Sequence, residues 1–305
     1  MKYLSIHVTE RCNQRCRFCV VSAPDHRGDE SLETIGAFLD ANRGQGYQGV
    51  NLHGGEPTLH PEFDAIIDRI RSAGFGEITL QTNGCRLGDR EFARRLIDRG
   101  VKLFIVSLHE GDPVANDRLA GSPGAHRRLS AGIRNVLELG GRVQTNTVLT
   151  RASYQRLGEI IECGWRLGVR HFNISNIHPA GYALRNFQEF VPRCREQAPL
   201  VREAVERFAP RGAVLTLEGF PYCTLPGLER YHKRQQQRDI RMLFRAWVFD
   251  DYEQFMDRTC KMMGEPCLNC GQAPRCGGVY KEYLEFCGWD EFGSQPESAV
   301  REVGQ

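Results

Sequence analysis

The sequence predicts an α/β protein, a partial (β/α)6 TIM-like barrel followed by a small cysteine-rich domain. Three observations indicate this fold class. Short stretches rich in Val, Ile and Leu alternate with amphipathic helical stretches over the first two thirds of the 305 residues. The alternation ends after residue 218. Of the twelve cysteines, three lie near the start of the chain and five lie between residues 260 and 287.

The strand-like stretches are short and apolar, as expected for parallel strands buried on both faces. They are residues 3–8, 50–53, 77–81, 103–108, 143–149, 171–177 and 214–218. The helical stretches between them are residues 32–43, 63–73, 90–99, 127–139, 154–167 and 196–208. In the second of these, apolar residues recur at i, i+3, i+4 and i+7 from Phe63 onward, which is the spacing of one helix face. Repeated βα units build a parallel sheet with right-handed crossovers, so residues 1–218 are expected to form the barrel.

Beyond residue 218 the sequence predicts a small appended domain over residues 219–294. It contains a basic stretch, residues 231–245, which we interpret as helical, then an aromatic segment, residues 247–255, and then the second cysteine group. The last residues, 295–305, are polar and are expected to form a flexible tail.

Composition excludes several classes of partner. The net charge is +2 with 26% charged residues, so the sequence predicts neither a nucleic-acid partner nor an acidic membrane partner. No apolar stretch approaches the ~18 residues of a membrane span, and the N-terminus lacks the apolar region of a secretory signal. We therefore expect a cytoplasmic protein. In that reducing compartment twelve cysteines indicate metal binding or catalysis instead of disulfides.

The first cysteine group is Cys12, Cys16 and Cys19 in the sequence C-N-Q-R-C-R-F-C, directly after the first predicted strand. The C-terminal ends of barrel strands carry the functional loops. A structural zinc site uses four ligands, and four-iron clusters are usually held by four thiolates. Three thiolates would leave one iron open for a substrate or cofactor. A zinc knuckle or a chance grouping of cysteines is the alternative.

This motif resembles the C-x3-C-x-aromatic-C signature of the radical S-adenosylmethionine (SAM) superfamily. The resemblance implies a [4Fe-4S] cluster whose open iron binds the amino and carboxylate groups of SAM. N-L-H-G-G-E-P, after the second predicted strand, resembles the family's motif for the methionine end of SAM, which is Gly54, Gly55, Glu56 and Pro57 here. Glycines let the backbone approach a ligand closely, and the Glu56 carboxylate is suited to accept hydrogen bonds from an ammonium group. An ordinary Gly-Gly turn is the alternative.

Weaker matches to the same family lie at the ends of later strands. Thr82 and Asn83 in Q-T-N-G and Ser107 in S-L-H occupy positions that the family often uses near the methionine and ribose groups. Asn146 in N-T-V-L-T occupies a position near adenine and ribose, and Phe18 is expected to pack near the cofactor. Each polar residue equally suits a cap at the end of a strand. The resemblance covers residues 3–218.

The second cysteine group contains C-x2-C-x5-C, formed by Cys267, Cys270 and Cys276. It resembles the auxiliary-cluster domains of radical SAM enzymes known as SPASM and twitch domains. SPASM domains extend this core by a further x3-C, and Tyr280 occupies that position here, so we expect one auxiliary [4Fe-4S] cluster and not two. The sequence does not decide which cysteine is the fourth ligand; we favour Cys223, then Cys287, then Cys260. A structural zinc at the same cysteines is the alternative.

The resemblance implies a radical SAM oxidoreductase or maturase. Such enzymes reductively cleave SAM to a 5′-deoxyadenosyl radical that abstracts hydrogen from a substrate C–H bond. The expected substrate is a peptide or natural-product precursor; a sugar or other small molecule undergoing epimerisation or dehydrogenation is an alternative. A non-catalytic iron–sulfur or zinc scaffold is a further alternative from a different class. The expected electron donor is a flavodoxin or ferredoxin, with no nucleic acid and no membrane as partner. The sequence assigns no catalytic side chain.

Overall fold

The computed structural model describes residues 2–21, 28–233 and 239–293. A nine-stranded sheet forms its centre, in the order β7-β6-β5-β4-β3-β2-β1-β8-β9. Its strands are β1 (Lys2–Thr9), β2 (Tyr47–Gly54), β3 (Glu77–Thr82), β4 (Val101–Ser107), β5 (Arg142–Leu149), β6 (His171–Asn176), β7 (Val214–Glu218), β8 (Asp239–Phe244) and β9 (Trp247–Phe249). Strands β1 to β8 pair in parallel and β9 is antiparallel to β8. A partial TIM-like barrel is thereby confirmed.

Helices follow the strands as the apolar spacing predicts. They are α1 (Leu32–Ala41), α2 (Phe63–Ser72), α3 (Arg90–Asp98), α4 (Pro113–Ala120), α5 (Ala125–Glu138), α6 (Leu157–Arg166), α7 (Gly181–Arg185), α8 (Phe187–Phe190), α9 (Cys194–Phe208), α10 (Tyr252–Phe255) and α11 (Lys281–Cys287). A separate two-stranded sheet pairs β10 (Lys261–Met262) with β11 (Val279–Tyr280). No helix of the described residues is long and apolar enough to cross a membrane.

The helical interpretation of residues 231–245 is wrong. Residues 234–238 lie outside the described residues, and Asp239–Phe244 form β8, which pairs in parallel with β1 from Lys2↔Asp239 to Ile6↔Leu243. The reason is a tertiary contact. The edge of β1 that does not face β2 carries backbone N–H and C=O groups, and another strand can form hydrogen bonds with them. Residues that the sequence assigns to the second domain therefore extend the barrel sheet, and the division at residue 218 stays a prediction. The predicted tail, residues 295–305, lies outside the described residues.

The two faces of the sheet differ in polarity. Aliphatic residues such as Leu4, Ile6 and Val8 are buried in one large core with the apolar faces of the helices. The opposite face lines the interior of the barrel, and paired positions along neighbouring strands are polar there. They include Ser5, His7, Asn51, His53, Thr79, Gln81, Ser107, Gln144, Asn146, Asn173, Ser175 and Glu218. Closed TIM barrels fill this space with branched aliphatic side chains, whereas this interior is suited to polar groups.

Candidate functional site

The cysteine loop (residues 10–21) follows β1 at the C-terminal edge of the sheet. Backbone hydrogen bonds anchor it on three sides: Glu56 N donates to Arg11 O at 2.7 Å, Arg15 N donates to Ala120 O at 2.8 Å, and Tyr182 N donates to Cys19 O at 3.0 Å. The loop after β2, the end of α4 and the start of α7 thus hold it. Such anchoring fixes the cysteines at the mouth of the barrel.

The three thiols of this loop are close enough to interact electrostatically. Burial raises the pKa of Cys12 to about 11, and the charges of Glu56 and Cys19 contribute to the rise. Burial also raises the pKa of Cys16, followed by the charges of Cys19 and Cys12. Neighbouring thiolates repel one another, and a bound metal centre offsets this repulsion. The donor set therefore fits an iron–sulfur cluster.

A four-iron cluster and a single metal ion place different demands on the spacing of the sulfur atoms. Among the described residues, no group of three or more His, Cys, Asp or Glu side chains is arranged to hold one metal ion. A four-iron cluster binds each thiolate through a different iron, so it accommodates more widely spaced sulfur atoms than one zinc ion does. A count of bound iron and zinc distinguishes the two alternatives at both cysteine groups.

The two glycines after β2 allow close packing within the chain. A Cβ atom on Gly54 would lie 2.3 Å from the carbonyl oxygen of Thr9, and one on Gly55 would lie 2.4 Å from that of Arg11. Gly55 N also donates to Thr9 O at 2.7 Å. The two glycines therefore let the loop after β2 pack against the end of β1 and the cysteine loop, and their approach to a ligand stays a prediction. Pro57 then starts a short 3-10 turn, Pro57–Leu59.

Glu56 is almost fully buried, and its carboxylate accepts hydrogen bonds from the chain itself. Thr58 Oγ1 donates at 2.7 Å, Thr82 Oγ1 at 2.8 Å and the Asn83 backbone N–H at 2.7 Å. Burial raises the pKa of Glu56 even though these donors oppose the rise. The carboxylate therefore ties the loop after β2 to the end of β3, and an ammonium group would have to share it with these donors.

Other predicted cofactor-binding residues lie around the same mouth. Asn83 Nδ2 donates to Asn13 Oδ1 at 2.7 Å and so orients the cysteine loop. Ser107 and Asn146 are paired positions at the ends of β4 and β5. Phe18 is buried with its ring edge-on to His109, 5.1 Å between centroids. The structure thus gathers these residues at one edge of the sheet, and their contacts with a cofactor stay a prediction.

Sequence reasoning missed a polar network on the neighbouring strands. Asn173 Nδ2 donates to Asn146 Oδ1 and to Glu218 Oε2, each at 2.8 Å, and Ser175 Oγ donates to Asn146 Oδ1 at 2.9 Å. Burial would raise the pKa of Glu218, but Lys233 and Asn173 outweigh it and the pKa is lowered. The sequence does contain a pattern that indicates this network: polar residues occupy alternate positions of β6 and β7.

The barrel interior also holds buried polar atoms without a hydrogen-bond partner. They include Nε2 of His7, Nε2 of His53 and Oδ1 of Asn51, none of which has a partner within the described part of the chain. The two imidazoles lie at paired positions of β1 and β2, with ring centroids 5.4 Å apart. Burial lowers the pKa of His7 to about 4 and that of His53 to about 3, so both are neutral near pH 7. Neutral imidazoles can donate or accept a hydrogen bond to a polar ligand.

The second cysteine group lines one cavity together with Cys223. Pro221, Met263 and Phe292 also line it, and its cysteines are Cys223, Cys267, Cys270 and Cys276. Burial raises the pKa of Cys223 to about 11, and the charges of the other three cysteines contribute. Cys260 and Cys287 do not line this cavity. The structure therefore brings together the four preferred ligands, whose role in binding a cluster stays a prediction.

The sequence and the fold were compared with protein families, with curated proteins and with solved structures. A family model described as the radical SAM superfamily matches residues 6–175. A probable GTP 3′,8-cyclase from Sulfolobus acidocaldarius is 30% identical over 191 residues, which are 62% of this chain and 60% of that protein. One from Metallosphaera sedula is 30% identical over 187 residues, 60% of this chain and 58% of that protein. The matched region thus spans about 60% of the length of these curated relatives.

Two solved structures share the fold. Streptococcus suis SuiB bound to S-adenosylmethionine superposes with a TM-score of 0.69 at 17% identity, covering 96% of this chain and 76% of that one. Native anSMEcpe with bound AdoMet and a peptide gives a TM-score of 0.57 at 14% identity, covering 70% and 62%. At these identities the likeness concerns the fold alone.

Proposed function

The chain belongs to the radical SAM superfamily, and from this premise we propose that Cys12, Cys16 and Cys19 bind the [4Fe-4S] cluster at which SAM is reductively cleaved. The family uses this cluster and SAM as cofactors. When bound, they supply a 5′-deoxyadenosyl radical that removes a hydrogen atom from a substrate C–H bond. The observation that carries the proposal is the anchored cysteine loop, whose three coupled thiols lie beside the buried Glu56 carboxylate.

The chain's own residues would position and shield this chemistry. Asn83 and Glu56 hold the loops after β1, β2 and β3 in one arrangement. The polar interior, with the unpartnered Nε2 atoms of His7 and His53, would bind hydroxyl, amide or carbonyl groups of the substrate. Enclosure within the barrel limits the access of water to a reactive species.

We further propose one auxiliary [4Fe-4S] cluster on Cys223, Cys267, Cys270 and Cys276. Their shared cavity supports this ligand set over one that uses Cys260 or Cys287. Four thiolates would complete the coordination of such a cluster, leaving it suited to electron transfer.

For the substrate we favour a peptide. SuiB has also been solved bound to its precursor peptide SuiA, and that structure covers 98% of this chain, including the cysteine-rich segment, with a TM-score of 0.68. The second candidate is a nucleotide. The 30% identity to probable GTP 3′,8-cyclases supports it, and ribose hydroxyls are chemically suited to the polar barrel interior.

The proposal is tested by anaerobic reconstitution and counting of iron, zinc and acid-labile sulfide. We expect about eight irons per wild-type chain and about four in a variant with Cys12, Cys16 and Cys19 replaced by Ala. With dithionite and SAM, only the wild type should form 5′-deoxyadenosine. Zinc in place of iron and no nucleoside would instead indicate a metal-binding scaffold. Addition of GTP or of candidate precursor peptides then discriminates the substrates, since the true substrate incorporates or loses hydrogen at a defined carbon atom.

A further inference from the structure

A group of arginines surrounds the outer side of the cysteine loop. We call it the arginine patch; its members are Arg15, Arg86, Arg118, Arg127 and Arg128. All are exposed except Arg128, which is half-buried. Arg15 lies between two of the predicted cluster ligands, and the others come from the loop after β3 and from α4 and α5. The patch is therefore assembled from four segments that meet beside the cysteines.

Close packing makes this patch continuous with the cysteine loop. A Cβ atom on Gly121, directly after α4, would lie 2.9 Å from the carbonyl oxygen of Arg15. Cys16, Cys85, Ala120 and Ala125 pack together in one small apolar cluster. The end of α4 and the start of α5 consequently rest on the cysteine loop, and the arginines of these helices lie near it.

A surface depression in the patch leads toward the cluster ligands. Its lining contains three arginines and one carboxylate, together with the buried thiol: Cys85, Arg86, Asp89, Arg127 and Arg128. Gln14 connects the buried Cys85 to Cys16, since its Nε2 donates to Cys85 Sγ at 3.5 Å and its Oε1 accepts from Cys16 Sγ at 3.6 Å. One side chain thus separates the lining of the depression from a sulfur atom that we assign to the cluster.

The carboxylates around the patch are already bonded to backbone amides. Asp89 accepts from Glu91 N and Phe92 N at 3.0 and 3.2 Å, and Asp117 accepts from His126 N at 2.9 Å. Asp112 accepts from Ala115 N at 2.8 Å.

The five arginines of the patch outnumber the three aspartates beside them, Asp89, Asp112 and Asp117, which keep their negative charge. Arg15, Arg118 and Arg127 form no ion pair within residues 2–21, 28–233 and 239–293. Arg11 and Arg17 of the same loop differ, because they pair with Asp29 and Glu189. The patch therefore carries an excess of positive charge on a chain whose net charge is only +2.

We propose that the arginine patch docks the acidic protein that donates one electron to the cluster, a reduced flavodoxin. The inference rests on the proposed function. In the step that docking serves, the donor is oxidised by one electron and the cluster is reduced by one, with no covalent bond formed or broken between the two proteins. Complementary charge speeds association and orients the donor, and the Gln14 contacts keep the distance to Cys16 short.

The test compares two charge-reversal variants of the reconstituted holoenzyme. The patch variant is Arg118→Glu/Arg127→Glu, and the control variant is Arg43→Glu/Arg71→Glu. The control residues are also exposed, but they follow α1 and end α2 near the opposite edge of the sheet. Both variants change the net charge equally. The first readout is the dissociation constant for flavodoxin, measured by calorimetry at low and high salt.

We expect the patch variant to bind flavodoxin about tenfold more weakly at low salt, with the difference shrinking at high salt, and the control to bind as the wild type does. Nucleoside formation driven by flavodoxin should slow to the same extent, whereas formation driven by dithionite should not change. Iron content and circular dichroism verify folding. A milder Arg118→Gln/Arg127→Gln variant should show an intermediate loss of affinity.

Equal binding by wild type and patch variant would overturn the proposal, as would an equal loss in the control. Weakened binding of an acidic leader peptide with unchanged flavodoxin binding would assign the surface to substrate instead. If the wild type forms no nucleoside even with dithionite, the proposed function fails, but the binding measurement still decides whether this surface docks the donor.

Discussion

Arg245 and Ala246 form the two-residue turn between β8 and β9, and both have positive φ angles, 51° and 61°. A two-residue hairpin loop of this type normally uses Asn or Gly there, because other side chains are disfavoured in the left-handed region. Contacts stabilise the turn: the Arg245 guanidinium pairs with the buried carboxylate of Glu10, and Ala246 N donates to Glu30 Oε2 at 2.8 Å. The turn thus ties β8 to the start of the cysteine loop.

Ala246→Gly should therefore stabilise the protein. Relief of the left-handed strain is worth ~1–2 kcal/mol, and the added freedom of Gly in the unfolded chain offsets ~0.5–1 kcal/mol of it. We expect a net gain of roughly 0.5–1 kcal/mol, seen as a higher melting temperature. Ala198→Gly, inside α9, is the matched control and should lose about 1 kcal/mol. A lower melting temperature for Ala246→Gly would show that the turn is not strained.

A candidate site can be predicted where its residues lie close together in the sequence. Cys12, Cys16 and Cys19 predict a cluster site for this reason, and their role as ligands stays a prediction. The partners of Glu56 were not predictable, because Thr82 and Asn83 reach it from another strand, and their approach depends on how β2 and β3 pair. The glycines before Glu56 also pack closely against the end of β1 and the cysteine loop, while their predicted approach to a ligand stays a prediction.

At the scale of elements, helix α5 shows packing overruling helix propensity. A Cβ atom on Gly132, in the middle of α5, would lie 2.6 Å from the Gly84 carbonyl oxygen and 2.8 Å from Leu87 Cβ. The helix therefore contacts the loop after β3 directly. Ala favours helix over Gly by about 1 kcal/mol, but overpacking against backbone costs about 1–3 kcal/mol.

Gly132→Ala should accordingly destabilise the protein, in spite of its better helix propensity. Gly158→Ala in α6 is the control, because its Cβ atom would meet only a flexible atom, Arg207 Nη1 at 3.5 Å, and it should be neutral or stabilising by up to about 1 kcal/mol. Urea unfolding of both variants measures the difference. If Gly132→Ala were as stable as Gly158→Ala, the close packing of α5 would be disproved.

Helices and strands could be predicted where the pattern that indicates them lies within one short stretch of sequence. Helix α2 appears at Phe63–Ser72 because its apolar residues repeat on one face and are buried. Strand β8 was mistaken for a helix because its neighbourhood is basic and rich in Gln, while the strand depends on the free edge of β1. Such pairing between residues more than 200 positions apart has no signature within one window of sequence.

At the scale of the whole molecule, buried neutral histidines govern the response to acid. Burial lowers the pKa of His7, His109, His178 and His232 to about 4 and that of His53 to about 3. An unfolded chain binds protons at these side chains near the ordinary value of 6.5, whereas the native chain does not. Stability is therefore fully present above pH 6.5 and is lost as the pH falls toward 4, with each histidine contributing up to about 1.4 kcal/mol per pH unit.

His232→Phe tests this dependence one group at a time. The imidazole stacks on Tyr222 at 4.4 Å between centroids, and its buried Nε2 has no hydrogen-bond partner among the described residues, so Phe can occupy the same space. Between pH 7.5 and 5.5 the variant should lose less unfolding free energy than the wild type, by roughly 1 kcal/mol. Tyr222→Phe keeps the imidazole and should retain the wild-type slope. Identical slopes for His232→Phe and the wild type would mean that His232 is protonated in the native protein, and the neutral interior inferred from the five histidines would have to be revised.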